Sequence, residues 1–424
     1  MEATMTQLKT KKQLVPKLRF REFDSVIKVR KFGEVVQSNI YGPRFNANDY
    51  SEVGNVKTIR GTDLGSDGEI KYDQVPLALL DEKMVKTHKL LEGDIVMITT
   101  AECGATGVYR KQKNEYITSA YGVRLRLNEL GYPYYFKYFF QTHQAKKEIN
   151  SYIRKSTIAN LPGSDILRIK TYTPHIHEQQ KIASFLSAVD EKIQVLTHKK
   201  ELLVNYKIGA IQKLISGKLR FNDGNGNRFP DWEEKRLATI NNFVQGDGDW
   251  ILSENITKEE KYSIIQLGNI GLGEFIDKEM KTLSEDDFKK IKGTLIKRGD
   301  ILLNRMVDDD KLNVCVFKYD GNYVTSVDVC WIRFGDGINN LFLMYLLITR
   351  ENQKKLLSLS SGSGRVRISK KNFFEKFSFQ LPCLEEQQKI ASFLSAIDDK
   401  IEAVNQQIIK SQTFKKGLLQ QMFV

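Results

Sequence analysis

A chain of 424 residues exceeds what one ordinary core holds, and 41% hydrophobic with 28% charged content describes folded domains rather than extended disorder. The longest apolar runs, such as residues 341–348, fall far short of a membrane span, and the polar opening MEATMTQLKTKKQ lacks the apolar stretch of a secretory signal. A net charge of +13 and a pI near 9.2 favour a polyanionic partner, nucleic acid first.

Taken in chain order, residues 3–21 carry Lys9, Lys11, Lys12, Lys17, Arg19 and Arg21 without an acid. Short strands and turns follow. Residues 58–64 (TIRGTDL) and 91–98 (LEGDIVMI) read as strands, the second fed by a Gly-Asp turn. An aromatic-rich helical stretch spans 132–144. After Pro174 the pattern becomes heptad, with Ile182, Val189, Leu196 and Leu203 at one seam position and Leu186 and Ile193 at the other. Phe185 broadens the stripe, and Gly217 is the expected stop.

Then the plan repeats. Lys17-Leu18-Arg19-Phe20 returns as Lys218-Leu219-Arg220-Phe221, and residues 221–228, rich in Gly and Asn, read as a linker. Residues 265–270 (IQLGNI), 297–304 (KRGDILLN) and the helical 339–350 mirror the first half. Residues 352–374 hold Lys354, Lys355, Arg365, Arg367, Lys370 and Lys371, again with no acid. After Pro382 comes EQQKIASFLSAIDDKI at 386–401, a near copy of EQQKIASFLSAVDEKI at 178–193. Only Val189/Ile397 and Glu191/Asp399 differ. Ile390, Ile397 and Val404 form one side of the second seam, Leu394, Ile401, Ile408 and Met422 the other, with Phe393 alongside. Each helix is expected to run roughly 35–40 residues, about 55–60 Å. Each needs a partner, and antiparallel packing of the two copies gives a pseudo-twofold repeat. The class expected is α+β.

Catalytic and metal motifs are missing. No GxxxxGK[ST] occurs, and no two prolines adjoin, which removes the Asp/Asn-Pro-Pro-aromatic motif of amino-methyltransferases. Pro230-Asp231-Trp232-Glu233-Glu234-Lys235 echoes a metal nuclease but compresses its two parts into one stretch. His175 and His177 read as a polar turn, residues 308–310 as a solvated acidic loop, and Gly271/Gly273 and Gly362/Gly364 as isolated glycine pairs. Cys103, Cys315, Cys330 and Cys383 are scattered without a CxxC pair and fit free thiols in a reducing cytoplasm. No catalytic residue and no metal site is expected.

Two divergent heads, each followed by Pro-x-x-x-Glu-Gln-Gln-Lys-Ile-Ala-Ser-Phe-Leu and a long helix, resemble the specificity subunit of type I restriction–modification systems. The likeness covers essentially the whole chain, including the Lys-Leu-Arg-Phe segments, the Gly-Asp-Ile strands and the Ser361-to-Arg365 approach to the second helix. The first head departs from it, with Ser156-Thr157-Ile158-Ala159-Asn160-Leu161-Pro162 in place of that glycine-rich segment. The resemblance implies two target recognition domains (1–172 with the N-terminal segment, and 218–380 with the linker) and two spacer helices (173–217 and 381–424). Each head would read one half of a bipartite asymmetric DNA target. The helix pair would set the spacer and dock two modification subunits, joined by restriction subunits. S-adenosylmethionine, ATP and Mg would belong to those partners, with no cofactor on this chain.

For DNA contact the expected residues are Arg60, Thr99, Thr100, Arg154 and Lys155 in the first head, and Asn304, Arg305, Lys311, Arg365 and Arg367 in the second. They are polar groups flanking predicted strands or turns near the basic clusters. Half-sites spaced near a turn of duplex, roughly 34 Å, would suit such a layout. On the helices, Gln179, Gln180, Ile182, Phe185, Leu186 and the copies Gln387, Gln388, Ile390, Phe393, Leu394 serve either the seam or subunit docking. The isoleucines suit the seam and the glutamines docking. The main alternative is a non-catalytic protein scaffold whose basic charge is incidental. An enzyme with an unrecognised site would need turnover by the isolated chain, and an RNA reader would need aromatic platforms on a sheet.

Overall fold

The computed structural model describes residues 15–155, 157–258, 261–362 and 365–423. Lys9, Lys11 and Lys12 of the N-terminal basic run, Ser156 of the first-head loop, and Ser363 and Gly364 of the second-head loop lie outside them. Two helices dominate, Ile176–Ile215 with 40 residues and Leu384–Met422 with 39. The first ends as its sequence dictates. Gly217 adopts φ +69°, its N–H bonds the Leu214 carbonyl, and Leu219 N–H returns to that of Lys213, satisfying groups the helix end would leave open.

The chain forms two compact units. One takes the chain up to Thr197 together with Gln406 onward, and the other is His198–Asn405. Each unit therefore contains the opening of one long helix and the closing part of the other. In the first, Ile182 and Leu186 share a core with Leu418 and Met422, and Asp190 Oδ1 pairs with Lys415 Nζ at 2.6 Å. In the second, Lys200 Nζ donates to Asn405 Oδ1 at 2.8 Å and Lys207 Nζ meets Asp398 at 2.5 Å. Moving forward along one helix moves backward along the other, so the segments run antiparallel. Heptad positions Ile182, Leu186, Leu196, Ile390, Leu394, Ile397, Val404, Ile408 and Met422 are buried, as the apolar seam demands.

Each head repeats one topology with different side chains. In the first unit a four-stranded antiparallel sheet runs Val36–Tyr41, Gly122–Leu127, Ile95–Ile98, Thr106–Val108. In the second the matching order is Phe243–Asp247, Val329–Phe334, Ile301–Asp308, Lys311–Val316. A second sheet in each unit holds one parallel pair, Val56–Ile59 with Tyr116–Thr118 and Tyr262–Ile265 with Tyr323–Thr325. A two-stranded ribbon precedes each long helix, Lys28–Lys31 with Lys170–Thr173 and Glu233–Arg236 with Ser378–Leu381.

The Gly-Asp turns behave as the sequence predicts. Gly93 and Gly299 take positive φ, and the following Asp94 and Asp300, each 1% exposed, receive bidentate arginines Arg126 and Arg333 from the neighbouring strand. The aromatic stretches form the short helices Pro133–Phe139 and Asn340–Leu347, buried against their unit's long-helix segments. Tyr138 donates to Asp190 at 2.8 Å and Tyr345 to Asp398 at 2.5 Å. Among the described residues no helix is long and apolar enough to cross a membrane.

Candidate nucleic-acid interface

The exposed polar rim of each head is built on a frame that both units share. Gly42 in the first and Gly248 in the second follow the edge strand where it crosses a neighbouring turn. A Cβ there would lie 2.1 Å from the Thr118 and Ser119 carbonyls, or 1.9 Å from that of Ser326, so only glycine fits. Beside this crossing, Thr99 N–H donates to the Tyr121 carbonyl at 2.8 Å and Arg305 N–H to that of Asp328 at 3.0 Å. One residue on, Thr100 pairs with Asn160, and Met306 pairs with Arg367. Gly163 N–H donates to Tyr41 Oη at 2.5 Å; Lys370 Nζ reaches Asp247 Oδ2 at 3.1 Å. Five places thus coincide: Tyr41 with Asp247, Thr99 with Arg305, Tyr121 with Asp328, Asn160 with Arg367, and Gly163 with Lys370.

In the first head these places are uncharged. Arg60 stands nearby, its guanidinium bidentate on the fully buried Asp63 carboxylate at 3.0 and 3.2 Å, a hydrogen bond that holds its pKa above the usual arginine value. Thr99, expected to face DNA, is corrected by the structure. It is 2% exposed and its hydroxyl is spent on the Tyr121 carbonyl at 2.9 Å. Thr100 is half-buried, whereas Arg154 and Lys155 are exposed, with Arg154 Nη2 3.5 Å from Asp165. Exposed Tyr121, Asn160 and Arg44 went unnoticed in the sequence, where no basic cluster marks them.

The second head carries ions at the same places. Arg305 lies between Asp328 at 3.3 Å and Asp247 at 3.5 Å, and Arg367 Nη1 approaches the same Asp328 oxygen at 3.3 Å. Three cations therefore surround two carboxylates. Asn304, also expected to face DNA, is instead 4% exposed, its Oδ1 accepting from Met306 N–H at 2.9 Å. Exposed Lys311 closes a hairpin whose central Asp309 and Asp310 take φ 46° and 56°, so the acidic run is a tight turn that offsets the lysine charge. Arg365 is exposed. Trp250, 70% exposed, stands two residues after Gly248, as Arg44 stands after Gly42. Nothing in the sequence marks Asp247 and Asp328, because an acid is not the residue type that a polyanionic ligand calls for.

On the helices, Gln179 and Gln387 overturn the expectation that they dock a partner. They are 0% and 1% exposed, and each amide is consumed internally. Gln179 accepts from Tyr132 N–H and donates to the Leu130 and Pro174 carbonyls, and Gln387 does the same with Asn339, Gly337 and Pro382. Each glutamine ties a long helix to the start of the aromatic helix. Gln180 and Gln388 are exposed. Ile182, Leu186, Ile390 and Leu394 are buried in the seam, with Phe185 edge-on to Phe20 and Phe393 to Phe221. Those phenylalanines reveal why the Lys-Leu-Arg-Phe segment repeats. Its arginine also pairs with the helix glutamate, Arg19 with Glu178 at 2.7 and 2.8 Å and Arg220 with Glu386 at 3.0 and 2.8 Å.

Among the described residues no group of three or more His, Cys, Asp or Glu could hold a metal. In the nuclease-like stretch, Asp231 is exposed, Glu233 pairs with Lys235, and Trp232 Nε1 donates to Glu386 at 2.9 Å. Burial pushes the thiols of Cys315 and Cys330 up to about 12, which suits inert core residues.

A sequence model of the family described as "Type I restriction modification DNA specificity domain" matches twice, over residues 25–205 and 230–411. The chain is 25% identical over 296 residues to the type I restriction enzyme MjaVIII specificity subunit of Methanocaldococcus jannaschii, covering 66% of this chain and 68% of that one. It is 25% identical over 363 residues to the putative type I restriction enzyme MjaX specificity subunit of the same organism, covering 80% of each. Among solved structures, the S subunit of a type I system from M. genitalium aligns over 97% of this chain and 99% of its own with a TM-score of 0.59 and 15% identity, a likeness of fold.

Proposed function

Because the chain belongs to the type I restriction–modification DNA specificity family, we propose that it reads a bipartite, asymmetric DNA sequence, one half with each head, for partner subunits that modify or cut. The observation that carries this is the double family match on two heads of one topology whose exposed polar positions differ. A shared frame suits a shared ligand, and divergent side chains suit two different half-sites. The chain itself contributes no chemical step. S-adenosylmethionine, ATP and Mg belong to the partners, and the work is done in the cytoplasm. The helix pair sets the unread spacer and receives two modification subunits, and restriction subunits join that assembly. Docking falls to the helix faces turned away from the seam, which carry exposed Gln180 and Gln388 and, within the second unit, Leu202 and Tyr206.

The test is fluorescence anisotropy of the full chain, copurified with its modification subunits, against a randomised duplex library at several salt concentrations. Selected duplexes should share two fixed half-sites, and log K should fall linearly with log salt as phosphate contacts release counterions. Binding without sequence preference would contradict the proposal.

A further inference from the structure

Resting on that reading, we propose that the place held by Asn160 in the first head and Arg367 in the second reads a base, adenine in one half-site and guanine in the other. Asp328 is the positioning residue for Arg367. Both readers sit on equivalent backbone. Asn160 pairs with Thr100 and Arg154, and Arg367 with Met306 and Ser361, each in a short ribbon laid beside the central strand's end. Both are exposed. Among the described residues the Asn160 amide makes no side-chain hydrogen bond, so its donor and acceptor are available side by side. That pair matches adenine N6 and N7. Arg367 is anchored through Nη1 alone, 3.3 Å from Asp328 Oδ1, which leaves the rest of a planar fork whose side chain is 58% exposed. A fork of donors matches guanine O6 and N7.

The surrounding charges separate a base reader from a phosphate clamp. Arg305 is only 14% exposed and faces the carboxylates of both Asp247 and Asp328, and Lys370, 34% exposed, faces that of Asp247. Three positive charges against two negative ones leave little net attraction for a phosphate. What the cluster supplies is a fixed geometry for Arg367. The corresponding places in the first head, Tyr41, Thr99, Tyr121 and Gly163, hold no charge, and a neutral Asn reader needs no carboxylate to orient it.

The experiment uses the full chain with its modification subunits, binding duplexes that differ from the selected site by one base, alongside the methylated motif in cells. R367N should lose roughly ten- to hundredfold preference for guanine at one position of the second half-site and leave the first unchanged. N160R should exchange adenine for guanine at one position of the first half-site only. D328N should relax the same guanine position as R367N, and the double variant should do no more, whereas a merely structural role would weaken all sequences alike. Two results would overturn the proposal. One is wild-type preference retained at every position by N160R and R367N; the other is uniform weakening with a salt slope lower by about one, the mark of a phosphate contact. The two readers lie in separate heads, so a variant that fails to fold leaves the other to decide. Absence of any sequence preference in the wild-type complex would count against the DNA-reading function itself.

Discussion

At the residue scale, the two heads repeat their buried ion pairs, while the exposed polar residues of their rims do not repeat. Glu386 is fully buried and accepts from Arg220 and from Trp232. Removing one member of such a pair strands the other, so Glu386→Ala should cost about 3 kcal/mol in chemical denaturation, with Glu178→Ala similar. Gly248→Ala should be as damaging, by about 3 kcal/mol or more, because its Cβ would meet the Ser326 carbonyl at 1.9 Å and backbone cannot yield as a side chain does. An unchanged denaturation midpoint in either variant would show that the site relaxes freely. Little of this could be read from sequence. The arginine of Lys-Leu-Arg-Phe and the glutamate of Glu-Gln-Gln repeat together, which was the available signal. Gly42 and Gly248 carried none, since the flanking residues differ completely.

At the scale of elements, the heptad pattern was the most legible feature, because an apolar seam fixes which side chains are buried without reference to the heads. Leu394 is completely buried in the second unit's core, and Leu394→Ala should destabilise by about 3 to 4 kcal/mol in the same assay. Gln179 and Gln387, unlike exposed Gln180 and Gln388, turn inward rather than toward a partner. A polar residue in an exposed-looking helix turn suggests docking, but tertiary structure brings the unpaired N–H of Tyr132 or Asn339 to meet it. Strands were legible from the Gly-Asp turns and apolar runs. The order of strands in each sheet was not, because pairing depends on which edges the aromatic helices cover. Thr99 and Asn304 illustrate the same point: one follows the end of Ile95–Ile98 and the other lies within Ile301–Asp308, and the sequence does not say that either side chain turns inward.

At the scale of the whole molecule, a basic chain with two matching frames and two different rims is suited to reading two sequences rather than one sequence twice. The net charge of +13 implies that affinity falls steeply with salt while sequence preference, set by the rims, changes far less. Exchanging one head's rim should alter one half-site alone, measurable by selection on a duplex library, and a change in both would break the modular account. The most direct test is single-molecule sequencing of genomic DNA for N6-methyladenine, in cells holding the neighbouring modification subunit with and without this chain. A bipartite, asymmetric methylated motif should appear only when the chain is present. A motif that persists unchanged in its absence would contradict the DNA-reading function.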